Sequence, residues 1–348
     1  TPQIPPTPQV YIKNITKPKH SSINWLNVKE LTKKGVDLFR INLSHTKLNE
    51  VNKIIENIQS WTDVPVCLDS EGAQIRNQDM VSESVNFKKD DVVKIHHNSV
   101  VGDSNNISFT PNNVSQQLKV GDEIRVDFNS VCFCVTEIQD NFLLAIVKRE
   151  GTVGSNKAAD TDADIKLSAI TLKDKKAFEI GLSMGVENFS LSFTNSAEDV
   201  LQVREIIGND SNLISKIESI KGVLNLGEIL PVVDQILIDR GDLSREVSIE
   251  KIPFIQRKII SYARSKDIPV YVATNLLESM IKSASPTRAE ANDVASTLLM
   301  GASGLVLAAE TAIGDYPVEA VEMVNLIIKQ YNRWTTESSF NEIIFQDD

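Results

Sequence analysis

The feature that most constrains this chain is a rhythm. Short apolar strands alternate with helical stretches from end to end, and the alternation is broken once by a block of different period. Strand Val10–Ile12 precedes a helix over Ile23–Lys34, and strand Phe39–Leu43 precedes a helix over Lys47–Trp61. Strand Val66–Asp69 follows. From about 77 to 165 the helical period gives way to alternating segments such as Val92–His96, Glu123–Val126 and Val131–Ile138, parted by Gly-Asp, Asp-Asn and Pro-Asn-Asn turns. The βα rhythm then resumes. Strands Val186–Leu191, Leu213–Ile217, Gln235–Ile238, Pro269–Ala273 and Gly304–Leu307 are spaced by helices over Leu172–Met184, Ser196–Ile207, Gly222–Leu230, Ile252–Lys266, Arg288–Met300 and Val318–Tyr331.

Eight such units predict a parallel α/β fold closed as a (β/α)8 TIM barrel, with a small β-barrel-like domain inserted after strand three. The expected division is 1–76 for the first part of the barrel, 77–165 for the insert, 166–335 for the second part and 336–348 for a tail. An open doubly wound sheet is the alternative, but no Gly-rich first turn of the dinucleotide-binding kind is present.

Composition narrows the partners. The net charge of −11 makes nucleic acid a poor partner, although local cations could still hold a small phosphorylated ligand. No apolar run approaches the roughly 18 residues of a membrane span. The opening TPQIPPTPQ is proline-rich rather than a basic-then-apolar leader, so a cytoplasmic location is expected. Cys132 and Cys134 share one face of a strand, which suits neither a local disulfide nor a metal knuckle and reads as a pair of buried thiols.

A barrel carries its chemistry at the C-terminal ends of its strands. Strand two ends in Arg40-Ile-Asn42-Leu-Ser44, whose polar residues are spaced by two and share a face. Strand three ends at Asp69, strand five in Lys216-Ile-Glu218, strand six in Asp239-Arg240-Gly241-Asp242, strand seven at Thr274 and strand eight at Glu310. No two of the four histidines are placed as a zinc pair. Glu218 and Asp242 instead offer hard oxygens suited to Mg2+ or Mn2+. Lys216, Arg40, Arg76 and Arg240 supply positive charge for a phosphoryl group or a carboxylate. For Arg240 an ion pair with Asp239 that buttresses the rim is the competing role. Cations and a metal around an anion serve phosphoryl transfer, and they would equally stabilise an enolate.

These residues also resemble the pyruvate kinase family. Arg40-Ile-Asn42-Leu-Ser44-His45 is similar to its R-x-N-x-S-H segment, and Leu68-Asp69-Ser70 through Gln74-Ile-Arg76 to its third-strand end. Lys216-Ile-Glu218 matches K-I-E, and Arg240-Gly241-Asp242-Leu243 matches R-G-D-L. The run Val272-Ala-Thr274 through Pro286-Thr-Arg288 to Asp293-Val-Ala, ending in Glu310-Thr-Ala, continues the likeness. The resemblance implies phosphoryl transfer between phosphoenolpyruvate and ADP, giving pyruvate and ATP. It implies Glu218 and Asp242 as ligands of the divalent ion, with Lys216, Thr274 and Arg40 catalytic. Gly241, Asp242, Thr274 and Arg240 would bind substrate, and Arg40, Asn42, Arg76 and Lys157 the nucleotide. Asn42, Ser44, Asp69 and Ser70 would hold K+. The insert would close as a lid, and barrel faces would meet in a homo-oligomer. No C-terminal regulatory domain is expected.

Departures keep other activities open. The family lysine after the third strand is Glu71, a charge reversal, and its acidic residue linked to K+ is Gln74. The lid sequences read Val126-Asp127-Phe128-Asn129 and Lys157-Ala-Ala-Asp160. Ala308 and Ala309 replace Ser-Gly, and Asp239 stands where the family has Ala. The alternatives are a kinase of the same fold acting on another small hydroxy-acid or sugar-derived acceptor, a pyruvate- or enolate-dependent lyase or aldolase, and a ligand-binding pseudoenzyme.

Overall fold

A computed structural model of the chain describes residues 9–13, 25–127 and 129–345. The proline-rich opening, the Ile23 start of the first helix and Phe128 lie outside the described residues.

Eight parallel strands close into a barrel in sequence order: β1 (Gln9–Lys13), β2 (Leu38–Asn42), β3 (Val66–Asp69), β4 (Asn188–Leu191), β5 (Asn212–Ile217), β6 (Gln235–Asp239), β7 (Val270–Ala273) and β8 (Gly304–Leu307). β8 pairs back onto β1, with Val10 opposite Leu305. Strands β2, β3, β7 and β8 are buried along their whole length, as expected of parallel strands covered on both faces.

The two faces differ. Phe39, Ile41, Leu68, Ile236, Ile238, Val270, Val272, Leu305 and Leu307 belong to the large core they share with the helices. Leu38, Cys67, Ile214, Leu237, Tyr271, Ala273 and Val306 form a separate cluster, the packed interior of the barrel. A step of two residues from that cluster toward the strand ends reaches Arg40, Asp69, Lys216 and Asp239. The interior face is therefore apolar at this layer and becomes charged at the C-terminal ends of these strands.

Several helices begin where the chain supplies a capping box. Thr171 and Asp174 start Leu172–Ser183, Ser196 and Asp199 start Ala197–Ile207, and Thr287 and Glu290 start Arg288–Leu299. The stretch expected as one helix over Gly222–Leu230 is instead two short helices, Ile220–Leu224 and Leu226–Ile229, joined at Asn225.

Ala73–Ser168 forms a second compact unit. It contains a closed seven-stranded barrel with its own core, in which Phe87 and Phe133 meet edge to face at 5.1 Å. Its limits lie outside the 77–165 read from the sequence. Strand Ile75–Asn77, which looks like the tail of β3, pairs with Ala158–Thr161 and Asn106–Thr110 and so belongs to the insert. Cys132 is buried there, whereas Cys134, expected to be buried, is only partly so. Among the described residues no helix is long and apolar enough to cross a membrane.

Candidate active site

The charged ends of β2, β3 and β5 form one buried network. Asp69 is its centre. The Arg40 guanidinium donates to Asp69 Oδ2 at 2.5 Å, and Ser190 Oγ donates to Oδ1 at 2.7 Å. The Lys216 ammonium lies 3.4 Å from Asp69 Oδ1 and 2.8 Å from Glu218 Oε1. Lys216 also donates to Ser192 Oγ at 2.8 Å, and Ser192 Oγ donates to the Ser70 carbonyl at 2.7 Å. The Phe193 amide donates to Glu218 Oε2 at 2.8 Å, fixing that carboxylate.

Arg40, Asp69, Lys216 and Glu218 are all at most 3% exposed. Burial works against the Lys216 ammonium, but the charges of Asp69 and Glu218 outweigh it and hold its pKa above the usual lysine range. Burial opposes the Arg40 charge as well, and Asp69 again reverses the direction. Both stay cationic. Arg40 Nε and Nη1 are buried and have no hydrogen-bond partner among the described residues. Buried donors of a charged group are costly to leave unmade, so these two point to an anionic ligand.

The ends of β6 and β7 form the other half. One oxygen each of Glu218, Asp239 and Asp242 lies within 4.8 Å of the others. Three hard oxygens at that spacing fit a divalent ion such as Mg2+ or Mn2+. Thr274 is β-branched yet has φ +76°, and Asn275 follows at +56°. Such backbone persists only where its surroundings fix it. Arg240 supplies the clamp: its Nε and Nη2 donate to the Thr274 carbonyl at 3.0 and 2.7 Å, and its Nη1 pairs with Asp293 at 2.7 Å. Thr274 Oγ1 donates to Asp239 Oδ1 at 2.5 Å, and the Gly241 amide donates to the same oxygen at 3.2 Å. A Cβ on Gly241 would sit 2.7 Å from Thr274 Cγ2, so this approach needs glycine.

The structure thus brings Arg40, Asp69, Ser70, Lys216 and Glu218 into one network, joins Gly241 and Thr274 to Asp239 by hydrogen bonds, and sets Asp242 within 4.8 Å of Asp239 and Glu218. Two outcomes differ from the sequence reading. Arg240 turns to Thr274 and Asp293 rather than to Asp239 or outward. Glu71, read as a charge reversal, is paired: Lys173 Nζ lies 2.6 Å from it and also donates to the Leu43 carbonyl. The oxygens expected to hold K+ also serve other partners. Asp69 already serves Arg40 and Lys216, Asn42 Oδ1 accepts from the Ser44 amide, and the Ser70 carbonyl accepts from Ser192. Arg76 and Lys157 lie in the inserted unit. Arg76 donates to Gln74 and to the Asn156 carbonyl, and Lys157 faces Asp127 at 3.4 Å. Glu310 is buried scaffold that accepts from the Leu277 and Ala308 amides.

Ser192 is absent from the sequence-based candidates. Its signal was the spacing in Ser190-Leu-Ser192 at the end of β4, the same period of two that marks Lys216 and Glu218.

A parallel barrel with a β insert after its third strand and a buried cation–carboxylate rim defines a class of protein, and comparison gives the family. The family model described as pyruvate kinase, barrel domain, matches residues 9–321. A pyruvate kinase of Thermotoga maritima is 34% identical over 305 residues, covering 85% of this chain and 66% of the relative. One of Thermococcus litoralis is 33% identical over 325 residues, covering 91% and 68%. One of Bacillus licheniformis is 32% identical over 310 residues, covering 86% and 53%. The chain belongs to the pyruvate kinase family. It spans about two thirds or less of the length of these relatives.

Proposed function

We propose that this chain transfers a phosphoryl group between phosphoenolpyruvate and a nucleoside diphosphate, most simply ADP, giving pyruvate and ATP. The observation that carries this reading is the position of Lys216. It is a buried cation 2.8 Å from Glu218, whose carboxylate also belongs to the three-acid cluster, and it shares Asp69 with an Arg40 that has two unsatisfied donors.

Each residue then has a task. Arg40 Nε and Nη1 receive phosphoryl oxygens. Lys216 neutralises charge on the group in transit, the kind of positioned electrostatics on which phosphoryl transfer depends. Glu218 and Asp242 would hold the divalent ion, which would supply positive charge beside an anionic substrate. The Thr274 hydroxyl and the Gly241 and Asp242 amides receive the substrate carboxylate. Arg240 is a positioning residue that holds Thr274 in its strained turn. Within the inserted unit, Arg76 and Lys157 are the cations that would bind nucleotide phosphates. No step is assigned to K+. Membership of the family supports the transfer reading as a whole.

A second reading, a kinase of the same fold with another small acceptor, is favoured by one observation: Asp239 already engages Thr274 and Gly241. A lactate-dehydrogenase-coupled assay with phosphoenolpyruvate, Mg2+ and ADP separates the two. The first reading expects pyruvate release that requires ADP. Binding of phosphoenolpyruvate without ADP-dependent turnover would contradict it and favour the second.

A further inference from the structure

Asp239 has two claims on its carboxylate. Oδ1 accepts from the Thr274 hydroxyl at 2.5 Å and the Gly241 amide at 3.2 Å. The same carboxylate contributes an oxygen to the cluster with Glu218 and Asp242, all within 4.8 Å. It is 1% exposed, and its chain neighbour Arg240 is committed to Thr274 and Asp293. Two donors converging on one oxygen form a small anion-binding pair, and Asp239 fills it from within.

We infer that Asp239 is a third carboxylate ligand of the divalent ion and that, without the ion, it occupies the donors a substrate carboxylate would use. The inference rests on the phosphoenolpyruvate reading for the identity of that carboxylate. Carboxylates crowded into a buried site repel one another, and a divalent cation relieves the repulsion. Were the Asp239 carboxylate to turn to the ion, the Thr274 hydroxyl and Gly241 amide would lose their acceptor. An incoming carboxylate restores it. Ion and carboxylate ligand therefore bind cooperatively, with the ion first, and coupling of this kind is reciprocal. Asp239 thereby sets specificity: a carboxylate ligand is admitted only together with the metal.

The test uses the whole chain, with Mn2+ binding followed by electron paramagnetic resonance and pyruvate binding by calorimetry with and without Mg2+. Wild type should bind pyruvate at least about tenfold more tightly with Mg2+ than without it. Asp239→Ala should bind Mn2+ about tenfold or more weakly and should bind pyruvate with little dependence on metal. Asp239 also caps the short helix Arg240–Leu243, so Asp239→Asn, which keeps a cap oxygen, controls for folding. It should weaken Mn2+ binding while its melting temperature stays near that of wild type. Mn2+ affinities within about twofold of wild type in both variants would overturn the inference, as would equal pyruvate binding by wild type with and without Mg2+. Pyruvate binding by neither wild type nor variant at saturating Mg2+ would instead count against the phosphoenolpyruvate reading. The Mn2+ titration alone would then decide the role of Asp239.

Discussion

The two halves of the rim are built on opposite principles. At the ends of β2, β3 and β5, charges of both signs interlock: Arg40 and Lys216 share Asp69, and Lys216 also meets Glu218. The order there comes from electrostatic pairing inside a packed barrel. At the ends of β6 and β7, order comes from backbone geometry, with Thr274 at positive φ clamped by Arg240, while Asp239, Asp242 and Glu218 bring negative charge together. One half is electrically balanced as it stands. The other sets three carboxylates within 4.8 Å of one another, with Asp242 also 3.3 Å from Arg245 and Glu218 also paired with Lys216. The rim keeps its buried cations fixed by pairing and gathers carboxylates beside them.

The sharpest break is in the paired half. Lys216→Met should cut ADP-dependent pyruvate release by about 10³-fold or more, because a buried cation aimed at the transferring group has no substitute. Steady-state kinetics measure it, and loss of less than about tenfold would place the transfer elsewhere.

Asp69→Asn tests pairing as architecture. It leaves Arg40 without its buried counter-charge and should cost about 3–5 kcal/mol in urea unfolding. A loss well below that would mean the network is not what holds β2, β3 and β5 together.

In the strained half, Gly241→Ala forces a Cβ to 2.7 Å from Thr274 Cγ2. The expected cost is about 1–3 kcal/mol of stability, with a rise in KM for phosphoenolpyruvate larger than the fall in kcat. An unchanged KM would separate Thr274 from substrate binding.

The smallest effect belongs to the rim charge swap. Lys173→Ala removes the partner of Glu71, a pair partly open to solvent, and should change stability by no more than about 1 kcal/mol. Its effect should shrink with added salt, as screening requires.

Much of this was legible in the sequence, for identifiable reasons. A period of two placed Arg40 with Asn42 and Lys216 with Glu218 on shared faces, and the eightfold βα rhythm placed those faces inside a barrel. Contacts between distant segments carried no such signal. Lys173 answers Glu71 from 102 residues away, and Arg240 answers Asp293 across 53. The sequence therefore showed Glu71 only as a charge reversal and left an Arg240–Asp239 pair as a competing role, while tertiary placement paired Glu71 with Lys173 and Arg240 with Asp293. Asp239 was legible as a departure. That it takes the Thr274 hydroxyl was not, because the contact depends on a backbone turn at Thr274 that residue type disfavours.

The most direct test of a divalent ion set against a buried cation is crystallographic. Crystals grown with Mn2+ should give one strong anomalous peak in contact with carboxylate oxygens of Glu218, Asp239 and Asp242, with Lys216 directed at the same space. A peak elsewhere, or one that excludes these carboxylates, would contradict the account.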